Sequence, residues 1–340
     1  MKHIKFILLV FVCPAILFFS CSNELDVLDT YKEIPIIYGA INPSQKINYI
    51  RLQRGYLGAG NALVMAQQPD SIYYDTSIVD LQLISLKSGI DFKSYQLTPV
   101  IDAFKEEGLF TDASHILYKL VMKDQNGDTL NLLSGIDYKL KFRNKATGLI
   151  DTAVTKIIEP LIVQNFGTST TFPKINLAAK DPYKIRLFSS KYAKVYGMIF
   201  RFKYFEQNNA TQIRTTKTVD YYLANVTSRT TTSIQDIEFP LDGQTIFRFL
   251  GSNIKVDPTV TRSVVGCDFI LTAGTQDFYD YIQVNQPSNT VNYIPEFSNL
   301  SEGKGLFTCR INSSVTNVSF NDLTLDSLYN GFYTKKIFGN

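Results

Sequence analysis

The sequence predicts a mainly β protein in which a β-sandwich is followed by a second β-rich domain with short helices. Three observations predict this class. Apolar and polar residues alternate along most of the chain, turn-forming residues separate the alternating segments, and helical spacings are few and short. The clearest alternation runs from Tyr196 to Tyr204, where every second residue is large and apolar, so one face of this strand is expected to be buried.

Short strands separated by turns predict the first domain, over residues 34–159. From Tyr138 to Phe142 apolar residues alternate with lysines, which is typical of a strand with one buried face and one wet face. Asn126-Gly127 predicts a type I′ hairpin turn, because that turn needs positive φ at both central residues. The strands are expected near residues 34–40, 47–53, 78–87, 116–123, 129–133, 138–143 and 152–158.

Residues 160–340 are predicted to form the second domain, and a stretch containing Gly, Thr and Pro over residues 159–173 is expected to connect the two domains. Segments 218–226 and 264–272 are expected to pair with the strand that begins at Tyr196. Apolar residues three and four positions apart predict two short helices, one with Ile246, Phe249 and Leu250 after an N-cap at Asp242, the other with Phe278, Tyr281 and Ile282.

The first 20 residues have the features of a signal peptide. Lys2 and Lys5 precede an apolar run over residues 6–19, which is too short to span a bilayer core of about 30 Å. Ser20-Cys21 then resembles the lipobox of Bacteroidota lipoproteins, in which Cys21 would be diacylated on sulfur, freed from Ser20 and acylated on its new amine. An ordinary secretory signal with a cysteine near its cleavage site is the alternative.

Residues 21–33 are therefore expected to form a lipidated tether, since several acyl chains together anchor a protein stably. The polar and acidic residues 22–26 are similar to the surface-export tag of Bacteroidota lipoproteins, and a simple solvated tether is the alternative. The expected location is the outer membrane, lipid-anchored, with the choice of leaflet open.

The net charge limits the classes of partner, and the chain length suggests the number of domains. The net charge is +3, and removing residues 1–20 takes away two lysines and no acidic residue, which leaves +1. This balance gives no argument for nucleic-acid binding, which needs a basic face, and leaves glycans, peptides and proteins as partners. No second apolar run has the length of a membrane span, and the length that remains after residue 20 suggests two domains.

Cysteine and histidine usage limits the chemistry. Cys13 would leave with the signal peptide, so Cys267 and Cys309 remain besides Cys21. Two buried thiols are favoured over a disulfide between them, because free cysteine is commonly buried as a small apolar residue. His115 is the one histidine beyond the signal peptide, which excludes a multi-histidine metal site. We expect neither a metal nor a cofactor.

Six motifs follow one another along the chain: residues 36–41, residues 79–83 followed by Gly89, and residues 107–110, 136–140, 279–281 and 297–307. In this order they resemble an uncharacterised family of outer-membrane lipoproteins of the Bacteroidota. The resemblance implies an Ig-like or transthyretin-like sandwich followed by a second β-rich domain. It also implies a gene often placed beside a large TonB-dependent, SusC-like receptor. The family has no established activity, so it supplies no catalytic residues.

The remaining sequence patterns give little evidence for a catalytic or ligand-binding site. Residues 124–128 superficially resemble a calcium loop, but the position of its bidentate Glu is Gly135, so a hairpin turn is favoured. The glycine-rich residues 55–60 fit no phosphate-binding fingerprint and are expected to be a connection. The chain has no tryptophan, and its 20 tyrosines are expected mainly to pack. Four Asp-Ser/Thr-apolar tripeptides resemble Bacteroidota O-glycosylation acceptors, with Ser71, Thr129, Thr152 and Ser327 as the candidate residues. We expect at least one of them to be modified.

These expectations favour a non-enzymatic binding or accessory lipoprotein beside a TonB-dependent receptor. A structural or adhesive protein of an envelope assembly is the second hypothesis, and a carboxylate-based glycan hydrolase is the third. We expect the first domain to act mainly as a spacer, and the glycine-containing loop over residues 301–305 to contact the partner. The alternative is that these glycines only form a tight turn.

Overall fold

The computed structural model describes residues 32–55, 61–102, 115–164, 174–286 and 296–338. The mainly β class is confirmed, since strands make up 47% of the structure and helices 15%. The strands of the described residues form sheets of nine, four and three strands.

The strands and helices of the described residues are numbered here in chain order. The strands are β1 Pro35–Ile41, β2 Asn48–Arg54, β3 Val79–Lys87, β4 Ile90–Gln96, β5 Thr98–Asp102, β6 His115–Leu120, β7 Asp137–Asn144, β8 Ile150–Lys156, β9 Ile162–Val163, β10 Tyr183–Phe188, β11 Val195–Asn208, β12 Arg214–Tyr222, β13 Val226–Thr227, β14 Asp236–Leu241, β15 Val260–Gly274 and β16 Lys304–Val318. The helices are α1 Ala62–Ala66, α2 Pro69–Ile72, α3 Gly243–Asn253, α4 Gln276–Val284, α5 Asp322–Asn330 and α6 Lys335–Phe338.

The largest sheet takes strands from both sides of the predicted domain boundary at residues 159 and 160. Its order is β12-β11-β15-β16-β1-β2-β6-β5, and β13 pairs with the end of β11. At its centre β1 runs parallel to β16, with Ile36 opposite Lys304 and Ile41 opposite Cys309. On its other side β1 pairs antiparallel with β2. Backbone hydrogen bonds therefore join the N-terminal and C-terminal parts of the chain in one sheet.

The four-stranded sheet has the order β4-β3-β7-β8. It packs against the part of the large sheet that contains β1 and β2. Its inward side chains, such as Leu83 and Phe142, are fully buried together with Ile37 and Ile50 of the large sheet. In the C-terminal part, Phe202 of β11 contacts the rings of Phe320 and Phe338. The buried apolar residues form one continuous cluster, which is the layered packing expected of a sandwich.

Several predicted elements are confirmed. The alternation from Tyr196 to Tyr204 lies in β11, which pairs antiparallel with β12 and β15. Helix α3 begins after Asp242, whose side chain accepts a hydrogen bond from the Thr245 amide at 2.9 Å. Helix α4 contains the predicted spacing at Phe278. The domain connection over residues 159–173 stays a prediction: its described part, residues 159–164, includes the short strand β9, and residues 165–173 lie outside the described residues.

One turn prediction and one strand prediction need correction. At Asn126-Gly127 only Gly127 has positive φ, 86°, so the predicted type I′ turn is wrong. The Asp124 side chain holds this turn instead, by accepting from the amides of Asn126 at 2.8 Å and Asp128 at 2.9 Å. Positive φ at two successive residues occurs at Ser88-Gly89, between β3 and β4. The strand predicted over residues 129–133 is reduced to an isolated bridge at Thr129.

Candidate functional site

Three of the motifs behind the family resemblance meet on one side of the large sheet. Residues 36–41 form most of β1, and residues 304–307 at the end of another motif begin the neighbouring β16. Helix α4, which carries residues 279–281, packs against β16. The sheet topology thus brings together segments that lie more than 200 positions apart in the chain.

The surface at this meeting point is a tyrosine–arginine patch made of Tyr38, Tyr49, Arg51 and Tyr281. Tyr38 of β1 lies opposite Arg51 of β2, and Tyr49 is two residues before Arg51 on the same strand face. The rings of Tyr38 and Tyr281 meet edge to face, with centroids 6.2 Å apart. Tyr38 is 38% exposed and Tyr49 is 49% exposed, so the patch offers open aromatic area.

Arg51 is the cation at the centre of this patch. Its Nε donates to Gln53 Oε1 at 2.9 Å. Within the described ranges, no carboxylate oxygen lies within 4.0 Å of its guanidinium. Arginine carries five N–H donors in a planar fork, so several remain available to a partner.

Burial raises the pKa of Tyr38, and the neighbouring Tyr281 raises it further, while Arg51 lowers it. The Tyr38 hydroxyl therefore stays protonated at neutral pH and can donate a hydrogen bond. A flat aromatic surface with hydroxyl and guanidinium donors can bind a polar partner, since tyrosine and arginine combine contact area with directed hydrogen bonds. This arrangement is suited to recognition.

The loop before β16 links β16 to helix α4, which carries Tyr281 of the patch. Asn299 donates through Nδ2 to the Phe307 carbonyl at 2.7 Å and accepts from the Phe307 amide at 2.9 Å. Its Nδ2 also reaches Asp277 Oδ2 of α4 at 3.3 Å. Burial raises the pKa of Asp277, and the charge of Asp280 adds to this. One asparagine thus fixes the position of α4 relative to β16.

The loop over residues 301–305 is held to the body of the fold by hydrogen bonds and by the close packing of its glycines. Asp151 of β8 accepts through Oδ1 from Ser301 Oγ and from the Glu302 amide, each at 2.9 Å. Gly305 has a φ of 123°, and a Cβ there would lie 2.0 Å from the Ile37 carbonyl oxygen. These contacts agree with the tight-turn alternative, because the glycines permit internal packing of the loop.

A cleft lined by Glu33 and Asp75 has a volume of about 720 Å³. Glu33 accepts from Asn144 Nδ2 and from Thr147 Oγ1, each at 2.7 Å. Asp75, on the opposite wall, accepts from the Ser77 amide at 2.9 Å, and the hydrogen bonds from Ser77 lower the pKa of Asp75. Both carboxylates therefore serve as local hydrogen-bond acceptors in this cleft.

The four predicted acceptor hydroxyls differ in accessibility. Thr129 is exposed next to the turn at Gly127, and Ser71 is half-buried in α2. Thr152 is half-buried, and its Oγ1 lies 3.3 Å from Ser301 Oγ. Ser327 is half-buried and donates to the Leu323 carbonyl at 3.0 Å. The predicted lipidation site, Cys21, lies outside the described residues, as do residues 56–60 of the glycine-rich loop and residues 107–110.

Cys267 and Cys309 are both buried and free, as the favoured alternative predicts. Burial raises the pKa of the Cys267 thiol well above its ordinary value, and it raises that of Cys309 to about 12. His115 is half-buried at the start of β6, opposite Asp102 of β5. In the part of the chain that the structure describes, no group of three or more His, Cys, Asp and Glu side chains could hold a metal ion.

Sequence reasoning missed Tyr49 and Arg51. The segment 48–53 alternates around buried Ile50 and Leu52, and this alternation alone places Tyr49 and Arg51 on the opposite, outer face. The meeting of these residues with Tyr281 depends on the pairing of distant strands.

Comparison of the chain with protein-family models and with curated proteins finds no match in either set. Within the described residues, every helix falls short of the length and apolar character that a membrane crossing needs.

Proposed function

We propose that this chain is a lipid-anchored, non-enzymatic binding or accessory protein of the outer membrane, working beside a TonB-dependent, SusC-like receptor. The signal peptide followed by Cys21 and the family resemblance motivate the location and the partner class. The observation that carries the binding role is the exposed tyrosine–arginine patch, whose central guanidinium has no carboxylate partner within the described ranges.

The composition of the patch favours a protein partner. Tyrosine and arginine are enriched among the residues that contribute most to protein–protein affinity, because both bury a large area and keep a polar end. Tyr38 and Arg51 sit on neighbouring strands of a sheet, so they are held in place before binding. A preformed site loses little conformational entropy when the partner docks.

Site-specific crosslinking tests the partner class. With p-benzoylphenylalanine in place of Tyr49, irradiation of cells is expected to give an adduct that mass spectrometry identifies as a TonB-dependent receptor. Tyr222 of β12 is 71% exposed and supplies a matched control position that should give no such adduct. An adduct with an envelope-assembly protein would favour the structural alternative. Equal receptor adducts from both positions would refute the patch as the binding site.

The anchor is tested separately. Cys21→Ala is expected to give uncleaved precursor or soluble protein in place of the membrane-bound form, because the acylated thiol is lost. Mass spectrometry of the wild-type N-terminal peptide should show acyl chains on Cys21. An unmodified Cys21 peptide in the mature protein would refute the lipid anchor while leaving the crosslinking result intact.

A further inference from the structure

A lateral groove lies along β4, at the edge of the four-stranded sheet and away from the tyrosine–arginine patch. Its volume is about 530 Å³. We call it the β4 groove and define it by Lys87, Phe92, Lys93, Tyr95 and Leu133, which line it.

The β4 groove gathers large apolar side chains that are open to solvent. Phe92 is 68% exposed and Leu133 is 63% exposed. Ile90, at the start of β4, is 72% exposed. Single exposed apolar residues are common, but several around one concavity mark an interaction site.

Two lysines at this groove have no acidic partner. Lys87 Nζ lies 5.5 Å from the centroid of the Phe92 ring, and Lys93 Nζ lies 5.2 Å from that of Tyr95. Within the described ranges no carboxylate lies within 4.0 Å of either ammonium group. Lys139 and Lys156 of the same sheet are paired, the first with Asp91 and the second with Asp137 at 2.7 Å. Asp137 also lines the groove, but its ion pair with Lys156 offsets its charge. Lys87 and Lys93 therefore make the groove complementary to a ligand with negative charge.

Strand β4 is also a sheet edge. It pairs with β3, and no other strand of the described residues pairs with it. In an antiparallel strand, alternate residues direct their N–H and C=O groups away from the partner, so β4 presents unpaired donors and acceptors along this edge. An extended peptide matches the regular repeat of this row of backbone groups, which neither a lipid nor a sugar does.

We propose that the β4 groove binds an extended, acidic segment of a partner protein. The segment pairs with the outer edge of β4 and places alternate side chains in the groove. Its carboxylates face Lys87 and Lys93, and its apolar side chains cover Phe92 and Leu133. Backbone pairing supplies affinity, and the lysines select the charge. This site is independent of the lipid anchor and of the patch around Arg51.

The absence of tryptophan from the chain allows a direct binding assay. Ile90→Trp introduces a single reporter beside the groove without changing a residue that lines it. The full chain is titrated with acetylated, amidated hexapeptides and its tryptophan fluorescence is recorded. The probes are alternating Glu and Val, alternating Lys and Val, a fully N-methylated form of the Glu–Val peptide, and oleate as a lipid with the same charge.

We expect saturable binding of the Glu–Val peptide, at least tenfold tighter than that of the Lys–Val peptide. The double variant Lys87→Gln, Lys93→Gln should weaken the binding about tenfold, since two exposed charge pairs are lost. A charge-matched control, Lys141→Gln with Lys145→Gln, lies on β7 and just after it, outside the residues that line the groove, and should change the affinity less than twofold.

Three results would overturn the proposal. Lack of saturable binding of the Glu–Val peptide would show that the lysines protect the edge against pairing, as charged residues on edge strands often do. Equal affinity for the fully N-methylated peptide would show that the β4 edge is not used. Binding of oleate without binding of the Glu–Val peptide would assign the groove to a lipid.

Discussion

Asp151→Ala is expected to lower the free energy of unfolding by about 3 kcal/mol. Asp151 is 1% exposed, and its Oδ1 accepts from the amides of Thr152 at 2.8 Å and Glu302 at 2.9 Å, and from Ser301 Oγ at 2.9 Å. The Thr152 amide keeps Ser301 Oγ as a second acceptor at 3.0 Å, so two bonds are lost outright. A bond to a charged group contributes roughly 1.5–3 kcal/mol, and we take the lower value because Ser301 and Glu302 are exposed to water.

Urea unfolding, followed by far-UV circular dichroism and tyrosine fluorescence, measures this loss. Asp91→Ala is the control, since the Asp91 side chain is 50% exposed and its pair with Lys139 contributes at most about 1 kcal/mol. Asp151→Asn keeps an acceptor and should fall between the two. A difference of less than about 0.5 kcal/mol between the two alanine variants would refute the anchoring role of Asp151.

The pKa shifts of two aspartates, the burial of two thiols and the exposure of Thr129 each allow a further test. The hydrogen bond from Arg201 lowers the pKa of Asp220 below its ordinary value of 3.8, so its stabilisation is present above that pH and is lost as the pH falls below it. Burial raises the pKa of Asp277 above 3.8, so ionisation destabilises the fold as the pH rises. The measurement is the free energy of unfolding in urea from about pH 3 to about pH 7. Asp220→Asn should reduce the fall of this free energy toward about pH 3, and Asp277→Asn should raise it near about pH 7. Changes of the opposite sign would contradict both assignments. Iodoacetamide at about pH 8 should leave Cys267 and Cys309 unlabelled in the folded protein and label both in urea, because burial keeps them protonated and inaccessible; rapid native labelling would contradict their burial. Glycopeptide mapping should find sugar at the exposed Thr129, and Thr129→Val should remove it; modification at Ser327 with Thr129 bare would contradict accessibility as the selecting factor.

Local sequence patterns predict those strands and helices whose formation depends mainly on residues close together in the chain. The alternation in β11 and the Asp242 cap of α3 are examples, because strand burial and helix capping depend on residues a few positions apart. The sequence predicts the position of the turn at Asn126-Gly127 correctly and its type wrongly. There the Asp124 carboxylate accepts two amide hydrogen bonds and stabilises a different backbone conformation.

The candidate site depends on pairings that no local pattern contains. Tyr38 and the segment with Tyr281 could each be singled out in the sequence, but their contact follows from the parallel pairing of β1 with β16. The sequence does not predict strand β4, because most of its residues are exposed and show no apolar periodicity. Its exposure is the property that makes its edge available to a partner.

The parallel pairing of β1 with β16 also constrains folding. Ile36 pairs with Lys304, 268 positions later (304 minus 36), so the central sheet cannot close until β16 has been synthesised. Contacts of such sequence separation slow folding, since a long loop must be ordered before they form. Until then β1 presents an unpaired edge that can join another chain. A chaperone that shields this edge would therefore act before β16 is available, and truncation before β16 should yield aggregates.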